Sequence, residues 1–210
     1  MGQKIKDILD YVIEGILEVI YPMDLRCIIC KEESEGICKK CLKDITFCGK
    51  EELCIGYYRG VLKQLILKLK YKKDFVAGEI LINLIKDKLV ECDNYYLTYI
   101  PMTKNKIRQR GFNQCEYIAR RLSKIANLKS ENTLIKVKET KNQKTLIKEE
   151  RIKNLIGAFK VREGINVENK NYIIIDDVIT TGATVNEAKR VLKNNGANKI
   201  KILTLAKSHI

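Results

Sequence analysis

The stretch Tyr172–Glu187, YIIIDDVITTGATVNE, decides how the rest of the chain is read. Ile173, Ile174 and Ile175 form a β-branched apolar run of the kind a strand buried on both faces requires, and the run ends in two carboxylates, Asp176 and Asp177. A short Thr and Gly loop follows. Thr184 with Glu187 three residues on has the spacing of a capping box, which predicts a helix through Ala188, Val191 and Leu192 that stops at Gly196. A strand, loop and helix in this order leave free backbone N–H groups at a helix N-terminus, aimed where a phosphate can sit. Gly182 gives the chain the positive φ and close approach such a turn needs, and the Thr hydroxyls add donors. Open α/β sheets bind ligands at the carboxyl ends of their strands. Carboxylates beside a phosphate loop therefore predict a ligand with vicinal hydroxyls and a phosphate, as in a ribose 5-phosphate.

Composition sets the surroundings of this motif. The 210 residues suffice for one main domain and a small appendage, and 45% hydrophobic with 31% charged residues is ordinary for a soluble globular protein. Lys and Arg number 40 against 26 Asp and Glu, a formal charge of +14 that favours anionic partners, phosphorylated metabolites and nucleic acid alike. Near the N-terminus, Ile5, Ile8, Leu9, Val12, Ile13, Ile16, Leu17 and Ile20 recur at helical spacing. Asp7, Asp10, Glu14 and Glu18 interrupt them, so the segment reads as an amphipathic helix and not as a signal peptide. Lys6 stands where a myristoylation site needs Ser or Thr. No stretch reaches the length of a membrane span, so the expected location is the cytoplasm, with the eight cysteines as thiols or metal ligands.

Cys27-Ile-Ile-Cys30 and Cys38-Lys-Lys-Cys41 are two Cys-x-x-Cys knuckles whose thiolates can wrap one zinc tetrahedrally. Cys48 and Cys54 lie just beyond and are read either as replacement ligands or as plain thiols, and Cys92 and Cys115 as buried thiols. Residues 55 to 92 predict two amphipathic helices, one carrying Leu62, Leu65, Ile66 and Leu69, the other Val76, Ile80, Leu81, Leu84 and Ile85. Between them Lys68, Lys70, Lys72 and Lys73 surround Tyr71, either a solvated basic face or a contact for nucleic acid. Leu97–Pro101 reads as the first sheet strand. After it comes a basic loop in which Lys104, Lys106, Arg108 and Arg110 stand without one acid, well placed for a polyanion. A helix is expected over 112 to 127, strands over 133 to 137, 157 to 161 and 199 to 206, and a polar lid or disordered span over 138 to 154.

These residues carry a family resemblance. YIIIDDVITTGAT is similar to the phosphoribosyl pyrophosphate (PRPP) motif of type I phosphoribosyltransferases, which implies that Asp176 and Asp177 hold ribose hydroxyls and that Thr180, Thr181, Gly182, Ala183 and Thr184 wrap the 5-phosphate. With the four cysteines, Arg108-Gln-Arg-Gly-Phe-Asn-Gln114, Asn142-Gln143, Glu150-Arg151, Asn154 and Gly157-Ala-Phe159, the chain resembles the ComF family of competence proteins from Cys27 to Ala206. The resemblance implies an α/β fold, a type I phosphoribosyltransferase-like domain over 56–210 with a central, mostly parallel sheet flanked by helices. A small N-terminal four-cysteine zinc module would fill 1–55. It also makes Pro101–Arg110 the pyrophosphate loop, with Lys104, Arg108 and Arg110 facing the leaving group, and Lys138–Asn154 the hood, with Lys141, Gln143 and Arg151.

The expected ligands are PRPP with Mg²⁺ and a structural Zn²⁺ on Cys27, Cys30, Cys38 and Cys41; the expected partners are single-stranded DNA and DNA-uptake proteins. The expected role is single-stranded DNA handling in natural transformation. A metabolic phosphoribosyltransferase acting on a nucleobase or amine, and a PRPP sensor without chemistry, stand as alternatives. Purine-salvage members of the superfamily tend to place an acid where this chain has Thr180, and a neutral Thr cannot act as a general base near pH 7, so no catalytic residue and no acceptor can be assigned.

Overall fold

The computed structural model describes residues 25–138 and 155–208. The expected N-terminal amphipathic helix and the hood residues Lys141, Gln143 and Arg151 lie outside the described residues. The chain divides into two compact units, Met1–Lys43 and Asp44–Ile210. This boundary falls twelve residues before the one expected after residue 55, for a physical reason. Phe47 bridges Gly56, and Cys54–Tyr57 pairs in parallel with Thr204–Lys207, so residues 44 to 55 are tied to the sheet of the second unit. Gly56 permits this closeness, since a Cβ there would stand 2.3 Å from the Thr46 carbonyl oxygen.

In the first unit, Arg26 bridges Glu33, and the Cys27 and Ile28 N–H groups donate to the carbonyls of Glu32 and Gly36, both at 2.7 Å. These bonds curl the chain into a knuckle, and a short helix α1, Lys39–Lys43, carries Cys41.

The second unit is built on a five-stranded, all-parallel sheet. Its strands are β1 (Cys54–Tyr57), β2 (Tyr95–Tyr99), β3 (Lys129–Ser130), β6 (Asn171–Ile179) and β7 (Ile200–Lys207), in the spatial order β1-β7-β6-β2-β3. The first sheet strand is thus Cys54–Tyr57, before the one expected at Leu97. A separate antiparallel pair joins β4 (Leu134–Lys136) to β5 (Phe159–Val161). The helices are α2 (Gly60–Lys72), α3 (Phe75–Ile85), α4 (Lys104–Arg110), α5 (Gln114–Ile125) and α6 (Ala183–Asn194).

Both predicted amphipathic helices after residue 55 form, α2 burying Leu62, Leu65, Ile66 and Leu69, and α3 burying Leu81, Ile82 and Ile85. The Asp74 side chain caps α3 by accepting from the Ala77 N–H at 3.2 Å. The stretch expected as a basic loop is instead the helix α4. Thr103 accepts from the Lys106 N–H at its start, and Gly111 at φ 87° closes its end. It escapes a reading by apolar periodicity because Ile107 is its one large apolar residue, and α4 buries none.

The central strand β6 buries Tyr172, Ile173, Ile174 and Ile175, as a strand covered on both faces should. Tyr172 and Ile174 pack in one core with Val185, Ala188 and Leu192 of α6, Leu134 of β4 and Phe159 of β5. The strand does not end at the acids. Val178 and Ile179 remain paired with Ala206 and Lys207 of β7, so the side-chain alternation runs on through Asp176 and Asp177 and sends them to opposite faces.

Candidate functional site

After β2 the chain pairs outward with β3, and then returns to the other side of β2 as β6. The carboxyl ends of β2 and β6 therefore flank the point where strand order reverses, the place where open α/β sheets form their ligand crevice. Ile100 donates to the Ile175 carbonyl at 3.0 Å, which puts Pro101 and the start of α4 beside Asp176.

Asp177 faces the helices that follow β1 and β2. Lys70 Nζ from α2 reaches its Oδ2 at 2.6 Å, and Gln114 Nε2 from the first turn of α5 donates to the same oxygen at 2.9 Å. Arg110 Nη1 donates to Gln114 Oε1 at 2.7 Å, so a cation on α4 is coupled to the acid through one amide. Burial works against the Lys70 ammonium, but the Asp177 carboxylate outweighs it and raises the Lys70 pKa. Asp177 also accepts from the Val178 N–H at 2.8 Å. Its charge is thus fully met by protein.

Asp176 looks the other way, into a shallow cleft lined by Val178, Ile179 and residues 180 to 185. Its Oδ1 accepts from the Asp177 N–H at 2.9 Å. Burial, followed by the charge of Asp177, raises its pKa to about 7. Its partial exposure to solvent limits that penalty. Cys115, behind the pair, is held far up in pKa by burial and then by both acids, so it is a neutral thiol.

The loop after β6 turns at Gly182, whose φ of 74° lies in the left-handed region, and Gly182 itself is the N-cap of α6. The capping box expected from Thr184 and Glu187 does not form. Glu187 lies inside the helix, where its Oε1 accepts from the Gly157 N–H at 2.8 Å and Arg190 clasps both oxygens at 2.8 Å. That carboxylate ties α6 to the turn before β5 instead of closing its own helix end.

The structure therefore brings together Asp176, Asp177 and residues 180 to 184 at one edge of the sheet, with Arg110 linked to them through Gln114. Lys104 and Arg108 lie exposed on α4. Two members were missed from sequence. In sequence Lys70 reads as part of a basic cluster, although its place four residues after Ile66 and next to Leu69 sets it on the border of the buried stripe of α2. Gln114 belongs to a recognised motif, but nothing local shows that its amide spans a cation and an acid.

Beside Lys70, Tyr71 is 56% exposed, and the Arg110 guanidinium carbon sits 5.3 Å from its ring centroid. Phe75 is also exposed and packs against Phe112 and Tyr117, at 5.6 and 5.1 Å between centroids. Lys72 and Lys73 are exposed at the end of α2. A cation-lined aromatic surface thus borders the acidic edge. A larger cavity, about 570 Å³, opens toward the amino ends of the strands near Lys201 and Cys92, away from the acids.

In the first unit the sulfurs of Cys27, Cys30, Cys38 and Cys41 all lie within 4.8 Å of one another. Four thiolates around one zinc stand about 3.8 Å apart, from a Zn–S bond of about 2.3 Å. The Cys38 N–H donates to Cys27 Sγ and the Cys41 N–H to Cys38 Sγ, both at 3.4 Å. Burial disfavours the Cys27 thiolate, but such N–H groups outweigh it and lower its pKa to about 6. The donor set therefore fits a metal ion. Among the described residues no helix is long and apolar enough to cross a membrane.

Residues 111–210 match the phosphoribosyl transferase domain. The second unit is a type I phosphoribosyltransferase-like domain, and the first is a four-cysteine unit ahead of it. Over 159 residues the chain is 25% identical to competence protein ComFC of Streptococcus pneumoniae, covering 76% of this chain and 69% of that one. It is 27% identical over 224 residues to competence protein F of Haemophilus influenzae, covering 88% and 98%. DNA utilization protein YhgH of Escherichia coli is 29% identical over 110 residues, 52% of this chain and 48% of that protein, so the match spans about half of YhgH. Over most of its length the chain is thus similar to competence proteins of the ComF type.

Proposed function

We propose that the second unit binds PRPP, or a related ribose phosphate, with Mg²⁺ at the carboxyl edge of β6, and that the protein handles single-stranded DNA during natural transformation. The observation that carries the ligand is the pairing of Asp176 with the left-handed turn at Gly182 across one cleft. Asp176 accepts from the ribose hydroxyls, and Asp177, fixed by Lys70 and Gln114, holds the strand end in place and shares that role when its partners shift. Backbone N–H groups of residues 180 to 184 donate to the 5-phosphate, and Lys104, Arg108 and Arg110 face the pyrophosphate, with Lys141, Gln143 and Arg151 as the hood. Mg²⁺ would be carried mainly by the ligand's own oxygens, supplying charge neutralisation. Zinc on Cys27, Cys30, Cys38 and Cys41 organises the first unit.

The DNA role draws on the competence and DNA-utilization relatives. It also rests on the exposed Tyr71 and Phe75 among Lys72, Lys73 and Arg110, an arrangement suited to stacking bases while neutralising phosphates. Thr180 carries no charge that could deprotonate an acceptor, which favours ligand binding over purine transfer.

Fluorescence anisotropy with a labelled oligonucleotide tests the DNA part. Tyr71→Ala should weaken binding roughly ten-fold, in line with about 1–3 kcal/mol per stacked base. Lys72→Glu with Lys73→Glu should lower the salt slope by about 1.4, at ~0.7 per phosphate contact. Unchanged affinity and slope in both variants would remove DNA from this surface.

A further inference from the structure

Cys48 and Cys54 belong to the second unit, and neither the ribose phosphate site nor the four-cysteine cluster uses them. Their sulfurs are 3.1 Å apart. The reason is a tight reversal of the chain: Phe47 bridges Gly56 antiparallel, the Cys48 N–H donates to the Ile55 carbonyl at 2.9 Å, and Cys54 opens β1 in register with Thr204. The reversal is braced at its tip. Lys88 Nζ donates to the carbonyls of Gly49 and Glu52 at 3.0 and 2.7 Å, and the Lys207 ammonium pairs with the Glu52 carboxylate.

The two sulfurs differ in access. Cys48 is partly exposed, whereas Cys54 is 3% exposed. Burial, then its contact with Cys48, pushes the Cys54 thiol up to about 12, a rise that the nearby Lys207 charge offsets only in part. A reagent from solvent thus meets Cys48 first, with Cys54 waiting behind it. The pair lacks the donors of a metal site: among the described residues the one group of three or more metal-ligating side chains drawn together is Cys27, Cys30, Cys38 and Cys41. A disulfide needs the sulfurs to close to about 2.05 Å, a shift of roughly 1 Å that side-chain rotation can supply.

We propose that Cys48 and Cys54 are a redox-active dithiol that a low-molecular-weight disulfide, such as oxidised glutathione, converts to an intramolecular disulfide. The Cys48 thiolate attacks one sulfur of the reagent, forming a mixed disulfide and expelling one thiolate. Cys54 then gives up its proton and attacks the Cys48 sulfur, expelling the second thiolate. The dithiol loses two electrons and two protons, and the reagent leaves as two thiols. The bond pins the 49–53 loop to the first residue of β1.

The test uses the full chain with its metal bound, equilibrated in glutathione buffers of rising oxidised fraction, then alkylated with iodoacetamide and digested with trypsin without reduction. The expected product joins the peptides Asp44–Lys50 and Glu51–Arg59, two hydrogens lighter than their sum, and it is lost on adding dithiothreitol. In Cys54→Ser, glutathione should stay on Cys48, and in Cys48→Ser, Cys54 should stay free. The proposal is overturned if both peptides come back separately alkylated at every buffer ratio, if Cys48 is found joined to a peptide of the four-cysteine cluster, or if oxidation is confined to that cluster.

Discussion

Asp176 and Asp177 are adjacent in sequence and different in circumstance. Strand alternation turns Asp177 toward α2 and α5, where Lys70 and Gln114 meet its charge, and leaves Asp176 at the cleft, its Oδ1 accepting from the Asp177 N–H at 2.9 Å and, more weakly, from the Cys115 thiol at 4.0 Å. With its pKa raised by burial to about 7, the folded chain binds a proton at Asp176 from the usual carboxylate range up to that pH, while the unfolded chain does not. This group's contribution to stability is therefore full at low pH and is lost as pH rises through about 7. At about 1.4 kcal/mol per pH unit the loss is on the order of a few kcal/mol, reduced by residual exposure. Asp176→Asn should raise the melting temperature relative to the parent at pH 8 more than at pH 5; a difference that does not vary with pH would show that the carboxyl is not penalised. Lys70→Met should destabilise the chain by about 2–3 kcal/mol in urea titration at pH 7, because it leaves the Asp177 carboxylate 10% exposed and short of its cation. The double variant with Asp177→Asn should lose less than the sum of the two single losses, and strict additivity would deny the pair. Both acids were legible from sequence. The division of labour between them was not, because it depends on the strand continuing to Ile179 and on a lysine 107 residues away.

At the scale of elements, the turn from β6 into α6 and the helix α4 control the site. Gly182 starts α6 at φ 74°, so Gly182→Ala should cost about 1–2 kcal/mol of backbone strain and weaken ribose phosphate binding, read by chemical denaturation and titration; wild-type behaviour in both would mean the turn does not need the left-handed residue. The apolar run of β6 and the stripes of α2 and α3 announce themselves by periodicity. Two elements are quieter. β1 is only four residues long and lies hard against a cysteine-rich segment, while α4 is defined by its caps and has no apolar face. The capping-box pattern misled because Glu187 finds the Gly157 N–H and Arg190, partners that exist only once β5 and α6 are packed.

At the scale of the molecule, strand order creates the crevice, and strand order is not written in any local window. The parallel sheet and the four-cysteine unit were readable from sequence. The split after Lys43 was not, since it follows from β1 pairing with β7, about 150 residues later in the chain. The proposed ligand of the edge formed by Asp176, Asp177 and residues 180 to 184 is PRPP. Isothermal titration of the full chain with PRPP and Mg²⁺ tests it most directly. The expected result is saturable one-site binding that disappears in Asp176→Asn with Asp177→Asn while the variant still unfolds cooperatively. No heat of binding in the parent chain, or equal affinity in the folded double variant, would contradict it.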